Sequence, residues 1–313
     1  MLRAAVADFA ALDGGDVITT RDPRLPGELQ ARHIHTVQPG GFDDTFDRCL
    51  ATCDAALVIA PEQGGLLAGL VERVERAGVL HLGSRSDGVR MAADKLGTIA
   101  RLAGAGVPVP PTLEAPTPAA AASLGFPLVL KPRDGAGCVG LRRVGEANDL
   151  EEAWGEATGE AGGSPLIAQP YIQGRHASVS MLCDGRGACP ISLNGQEIAE
   201  GARFEYRGGV VPLEHPLGAR ALAVAATACG LTPGLSGYVG VDLVLGADAV
   251  VMEINPRLTT AYTGLRRALG VNLAAILLRV ARGEVPGSMP VVARAWFTAG
   301  GEVRVEPLHG VAA

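Results

Sequence analysis

The chain has 313 residues, 48% hydrophobic and 19% charged, with a formal net charge of −6 and a pI near 5.6. That length exceeds one compact core of ordinary size and predicts two or three subdomains, and the acidic balance argues against a protein held on nucleic acid by a basic face. No apolar run approaches the ~20 residues of a membrane span, and "MLRAAVADFAALDGG" reaches Asp8 without the long apolar stretch of a secretory signal. The cysteines lie scattered in apolar or loop contexts. Cys49 and Cys53 would share a helix face, but no second pair or His partner completes a zinc set, so buried free thiols are the reading. The expectation is a reduced, soluble, cytoplasmic protein. Glycine stands out at 43 of 313 residues, about twice the usual share, so part of the chain needs permissive backbone.

The first 90 residues alternate in an α/β manner. "AALVIAPEQGG" reads as a buried strand breaking into a loop, "LLAGLVERVERAG" as an amphipathic helix stopped by Gly78, and "VLHLGS" as the next strand. This βαβ unit puts the loop Pro61 to Gly65 at the C-terminal end of a strand, where ligands gather in open α/β sheets. Glu62 in that loop would suit an amine, or is a plain surface acid. One helix is predicted from "SDGVRMAADKLGTIARLAGAG", ending at Gly104 and Gly106, with a domain boundary near residue 90. "VPVPPTLEAPTPAAAA" follows as strand and linker.

In "FPLVLKPRDGAGCVGLRRV", residues 126–144, a β-rich run ends in Lys131 and a loop holds Gly135, Gly137 and Gly140. The glycines spell GxGxxG, but a dinucleotide fingerprint needs a helix directly after them. "VGLRRV" is strand-like, and the helix comes only at "EANDLEEAWGEA". A glycine flap between two strands, with a lysine at its base, still suits a polyphosphate through backbone N–H groups and a point charge. The alternative is a hairpin with a surface lysine. "SPLIAQPYIQGRHASVSML", residues 164–182, gives two strands interrupted at Gln169, Pro170, Tyr171 and Ile172. Such a break can offer the free backbone groups an adenine edge needs, or it is an ordinary loop.

"GYVGVDLVLGADAVVMEINPR", residues 237–257, reads as a hairpin with the four-residue loop "GADA". If Leu245 faces Val250, Asp242 falls opposite Glu253, and Asn255 shares their face by the period of two. Val241, Leu243, Met252 and Ile254 then take the other face. Like charges directly opposed at roughly 5 Å are destabilising. A hard cation would resolve the repulsion, and Mg²⁺ takes one or two carboxylates and completes its shell with phosphate and water. The alternative is a solvated face with incidental acids. Arg257 lies two residues on, where it could hold a carboxylate or a transferring phosphoryl group, or pair with Glu253. Hydroxyls follow at Thr259, Thr260 and Thr263, then an apolar helix from about Leu265 to Ala281, and "VVARAWFTAGGEVRVEPL" reads as a closing hairpin.

The ordered set "DKLGTIARLAGAGVPVPPT", "PLVLKPRDGAGCVG", "AQPYIQGRHASVS" and "GYVGVDLVL…MEINPR" resembles the ATP-grasp superfamily from about residue 93 to 280. The resemblance implies an N-terminal α/β domain over 1–92, followed by a two-lobed α+β clamp with a central lobe at 93–167 and a C-terminal lobe at 168–313. It further implies ATP and Mg²⁺, with two ions expected and Mn²⁺ as an alternative, and amide formation through an acyl phosphate with release of ADP. By the same resemblance Lys95, Lys131 and the loop of Gly135, Gly137 and Gly140 would hold phosphates, and Gln169, Tyr171 and Ile172 would meet adenine. His176 stands where a ribose-binding acid is common in the family, a departure that leaves the sugar contact open. Asp242, Glu253 and Asn255 match the metal set, and Arg257 the acyl-phosphate or substrate carboxylate, with Glu62, Thr259 and Thr260 on the substrate side. "APEQGG", "LGSRSDGVRMAADKL", "GGVVPLEHP" and "MEINPRLTTAYTGL" resemble the short ligases related to tyramine–glutamate ligase, which act in methanofuran-type one-carbon cofactor synthesis. That likeness implies L-glutamate and a tyramine- or tyrosine-like amine as small-molecule partners, no nucleic acid or membrane partner, and leaves room for a homodimer.

Overall fold

The computed structural model describes residues 1–25, 27–287 and 289–308. A seven-stranded antiparallel sheet dominates it, in the order Ala249–Asn255, Ser236–Leu245, Arg175–Asp184, Ala188–Glu200, Phe204–Val211, Ala293–Thr298 and Val303–Pro307. Alternation along these strands separates two faces. Ala177, Val179, Met181 and Cys183 point to one face, where helix Gly218–Gly230 covers them with Ala221, Val224, Ala225 and Ala228. On the other face, Leu182 and Tyr238 pack under helices Ala261–Ala268 and Leu273–Val280. Those helices cover only one end of that face. Further along the same strand, His176 and Ser178 open onto a cleft.

The opposite wall of the cleft is a four-stranded sheet, ordered Leu113–Glu114, Leu166–Pro170, Leu128–Pro132 and Arg142–Val144. Helices Pro118–Ala122 and Leu150–Glu160 bury its outer face against Leu128, Leu130, Val144 and Ala168. The N-terminal segment holds short parallel strand pairs, Ile18–Arg21 with His33–Thr36 against helix Phe42–Leu50, and Ala55–Ala56 with Leu80–His81 on helix Leu66–Arg76. It docks on the large sheet at Ser84, whose Oγ donates to Ser236 O and accepts from Ser236 N, both at 3.2 Å. Gly237 makes the approach feasible. Its φ is +67°, and a Cβ there would fall 2.2 Å from Leu82 O.

Several expectations need correction. The strand read in "AALVIA" pairs only at Ala55–Ala56, and the helix read through residue 104 is two helices, Ser86–Ala93 and Lys95–Gly104. Asp94 breaks it: its carboxylate accepts from Gly97 N at 3.2 Å as a cap and holds Arg133 at 2.7 Å. The first helix, Leu2–Ala10, packs on Leu273–Val280, with buried Asp8 accepting from Tyr262 Oη (2.7 Å) and Arg266. The hairpin loop has three residues, 246–248, and Leu245 pairs with Ala249 instead of Val250. A bulge beyond Leu243 restores Asp242 opposite Glu253 and turns Met252 toward the cleft. The closing hairpin forms as Ala293–Thr298 and Val303–Pro307. Among the described residues no helix is long and apolar enough to cross a membrane.

His81 supplies a pH test of the N-terminal packing. Burial pushes its imidazole down to about 4, so the folded chain excludes a proton that the unfolded chain takes up near its ordinary value of 6.5. Stability is therefore complete above pH 6.5 and is lost as pH falls toward 4, by up to about 3 kcal/mol. Urea unfolding at pH 7 and pH 4.5 should show a smaller acid loss for His81→Phe than for the natural chain. Equal losses would place the acid sensitivity elsewhere.

Candidate active site

Between the two sheets lies a cavity of about 230 Å³. Gln169, Tyr171, Ile172 and His176 line one end, Lys131 and Gly137 the middle, and Asp242, Glu253, Asn255, Arg257, Thr259 and Thr260 the other end. A larger concavity of about 730 Å³ sits between helices Phe42–Leu50 and Leu66–Arg76; Gly65, at the end of the loop singled out in the sequence, lines it, but none of the candidate nucleotide, metal or substrate residues does.

The acidic end is set by strand register. Asp242 pairs directly with Glu253, and the two carboxyls share a hydrogen bond. Burial, followed by the charge on Glu253, pushes Asp242 up to about 8. Burial would raise Glu253 too, but Lys95 and Lys131 outweigh it and keep that carboxylate below its ordinary value. Burial and mutual repulsion thus favour one proton held by the pair, which would otherwise repel. Gln196 Nε2 donates to Asp242 Oδ1 at 3.0 Å and Asn255 Nδ2 to Oδ2 at 3.1 Å, which leaves the Asn255 carbonyl oxygen for another partner. Among the described residues no group of three or more His, Cys, Asp or Glu converges. An ion here would take two carboxylates and an amide oxygen and complete its shell with phosphate or water, a donor set that fits Mg²⁺ and also Mn²⁺.

The lysines and the glycine loop come together beside these acids. Lys95 and Lys131 are 7% and 4% exposed. Lys95 Nζ donates to Gly135 O and lies 3.5 Å from Glu253 Oε2. Lys131 Nζ donates to Met252 O at 3.4 Å, and burial brings its ammonium down to about 8. The glycine loop joins two strands, Leu128–Pro132 and Arg142–Val144, and the next α-helix starts only at Leu150. That topology excludes the dinucleotide fingerprint. Gly140 has φ +71°, and a Cβ there would meet Pro132 Cγ at 2.7 Å, so the loop lies tight on its own base.

At the far end, Gln169 is 1% exposed. Its Nε2 donates to Thr112 Oγ1 at 2.8 Å, which leaves Oε1 a buried acceptor with no partner, on a residue that lines the cavity. The Tyr171 N–H is engaged with Pro127 O at 2.9 Å, whereas the Ile172 N–H makes no hydrogen bond among the described residues. One free acceptor and one free donor side by side match the donor–acceptor edge of adenine. His176 Nε2 pairs with Glu200 Oε1, and Tyr171 Oη donates to Glu200 Oε2. Burial works against the Glu200 carboxylate, but these two bonds hold it below its ordinary range. Sequence reasoning missed both Glu200 and Gln196. The signal was available in "QEIAE", where Gln196, Ile198 and Glu200 share a strand face by the period of two.

On the substrate side the outcome is mixed. Thr259 and Thr260 line the cavity, but their hydroxyls are taken, Thr259 by Tyr238 Oη at 3.0 Å and Thr260 by Tyr206. Arg257 does not pair with Glu253. Its Nε lies 2.9 Å from Oε1 of Glu62, which is 5% exposed, so the N-terminal loop reaches the end of the hairpin. Because Asp242 and Glu253 strain the cation-free protein, Asp242→Asn should raise its unfolding free energy by about 1 kcal/mol. The same change should abolish any added stabilisation by Mg·ATP in thermal scans. A less stable variant that still gains from Mg·ATP would remove the pair as a metal site.

Comparison with known proteins follows the same division of the chain. Residues 92–261 match the ATP-grasp domain and residues 16–89 the pre ATP-grasp 3 domain. The tyramine–L-glutamate ligase of Methanocaldococcus fervens is 31% identical over 74% of this chain and 67% of its own length. That of Methanocaldococcus jannaschii is 31% identical over 74% and 64%. The chain thus spans about two thirds of the length of these relatives. The L-amino acid ligase of Bacillus licheniformis superposes with a TM-score of 0.76 over 94% of this chain and 76% of that one, at 19% identity, a likeness of fold alone. With the domain match covering more than half of the chain, the protein belongs to the ATP-grasp family, among its ATP-dependent ligases.

Proposed function

We propose that the chain uses ATP to join a carboxylate to an amine, with L-glutamate as the acid and a tyramine- or tyrosine-like amine as its partner. The named substrates rest on the likeness to the tyramine–L-glutamate ligases, and by that likeness the product would feed methanofuran-type one-carbon cofactor synthesis in the cytoplasm. The observation that carries the reading is the single cleft that has Gln169 Oε1 and the Ile172 N–H at one end and the opposed Asp242 and Glu253 at the other. On this reading residues 1–92 form the substrate-side domain, 93–167 the lobe with the glycine flap and 168–313 the lobe with the metal site.

The hinge sets adenine, with Glu200 and His176 placed for ribose hydroxyls. The polyphosphate then runs under Gly135, Gly137 and Gly140 toward Lys95 and Lys131. Mg²⁺, held by Asp242, Glu253 and Asn255 as one ion or two, would neutralise phosphate oxygens as charge develops on the transferring group. The substrate carboxylate attacks the γ-phosphorus and the bond to the ADP oxygen breaks. Lys131 and Arg257 face the developing charge. The amine then attacks the acyl carbon, phosphate leaves with the electron pair and takes up the proton that the nitrogen loses, and the closed glycine loop keeps out water that would hydrolyse the intermediate.

The test is ADP release from purified protein with Mg·ATP and L-glutamate, with and without tyramine or tyrosine, products read by mass spectrometry. A γ-glutamyl amide formed in step with ADP is the expected result. Turnover with a different acid or amine would keep the ligase and discard the named pair. Tight Mg·ATP binding without turnover on any pair would favour a nucleotide-binding regulator instead. Glu253→Gln should abolish turnover while the protein stays folded, and Lys131→Ala should raise the ATP requirement about tenfold or more. Ordinary kinetics in either variant would remove that residue from the site.

A further inference from the structure

Arg257 stands at the reacting end of the cleft, yet its own lobe does little to orient it. The only hydrogen bond of its guanidinium among the described residues runs from Nη1 to the oxygen of its neighbour Leu258, at 3.1 Å. The counter-charge comes from another part of the chain: Glu62 Oε1, 2.9 Å from Nε. Glu62 is 5% exposed, and neither of its carboxylate oxygens has a hydrogen bond of normal alignment, so the contact is one of charge and proximity. The adjoining loop residues are tied across the cleft. Gln63 Nε2 donates to Ala161 O at 3.3 Å, and Gly64 N donates to Asp134 Oδ2 at 3.1 Å, at the start of the glycine loop. Glu62 therefore has a fixed position relative to the lobe that carries the glycine loop.

We infer that Glu62 is a positioning residue for Arg257. By setting its charge beside Nε, it leaves Nη2, and the second proton of Nη1, to receive an anion, namely the substrate carboxylate and then its acyl phosphate. The inference rests on the ligase reading given above and adds a requirement to it: the N-terminal segment sets the specificity arginine of the C-terminal lobe while leaving nucleotide binding alone. A buried carboxylate with no aligned donor is costly unless it has a task, and a guanidinium fixed at one nitrogen keeps its planar fork for a second oxyanion.

The experiment is a double-mutant cycle of E62Q and R257K, with the acid varied at saturating Mg·ATP. E62Q should lower kcat/KM for the acid about 100-fold, the scale of a misplaced reacting group, with KM for ATP unchanged. In the R257K background, E62Q should cost little more, because its effect passes through the guanidinium. The shorter acid in E62D should give an intermediate loss. An equal fall from E62Q in both backgrounds would overturn the inference and return Glu62 to direct contact with the amine. A second measurement needs no turnover. The ¹H–¹⁵N resonance of Arg257 Nε, assigned by its loss in R257K, should be sharp in the natural protein and broadened by solvent exchange in E62Q. An unchanged resonance would overturn the inference even if the acid and amine named above proved wrong, whereas lack of turnover in the natural protein would count against the ligase reading alone.

Discussion

The facing of Asp242 and Glu253 across one rung of a hairpin is the constraint around which the cleft is organised. Two carboxylates at that spacing repel unless something positive or a proton lies between them. In the protein alone the repulsion is met by a proton held by the pair and by two lysines, Lys95 at the start of helix Lys95–Gly104 and Lys131 on the four-stranded sheet. The lysines are themselves buried, and Lys131 keeps its charge only weakly, down to about 8. Each charged group is tolerable because the others are present. The acids and Lys131 arise on opposite walls, so the electrostatics of the site and the closeness of the two lobes depend on each other.

The sheet supplies the rigidity this arrangement needs. One face of the Arg175–Asp184 strand is filled with Ala177, Val179 and Met181 against a helix, and the other changes along its length from apolar Leu182 to polar Ser178 and His176. The same strand thereby anchors the core and floors the cleft. The bulge beyond Leu243 shows how finely this is set. Were the strands to pair regularly from the three-residue turn, Met252 would face Asp242 and Glu253 would go to the buried helix-packed face.

Much of this was legible from local pattern. Apolar and β-branched runs identified the strands bearing Lys131, Gln169, Asp242 and Glu253, and the absence of a helix after Gly140 ruled out a dinucleotide fold. The opposition of the two acids was also foreseen, although through a four-residue loop and a Leu245–Val250 pairing that the chain does not form. The single helix expected through residue 104 was missed because Asp94 does not stop a helix by propensity alone. It does so here because Arg133, 39 residues away, fixes its side chain. Glu200 and Gln196 were passed over because their strand carried no recognisable phrase, and only pairing with the Arg175–Asp184 strand brings them to His176 and Asp242.

The sequence by itself determined the fold class and which side chains line the cleft, because glycine loops, strand-forming runs and opposed acids are written within stretches of some twenty residues. Tertiary structure alone decided which charges meet. Nothing near Glu62 in the chain points to Arg257, and nothing near Asp8 points to Tyr262 and Arg266. Such pairs are set by where whole elements dock, and docking is governed by the shape of buried apolar faces.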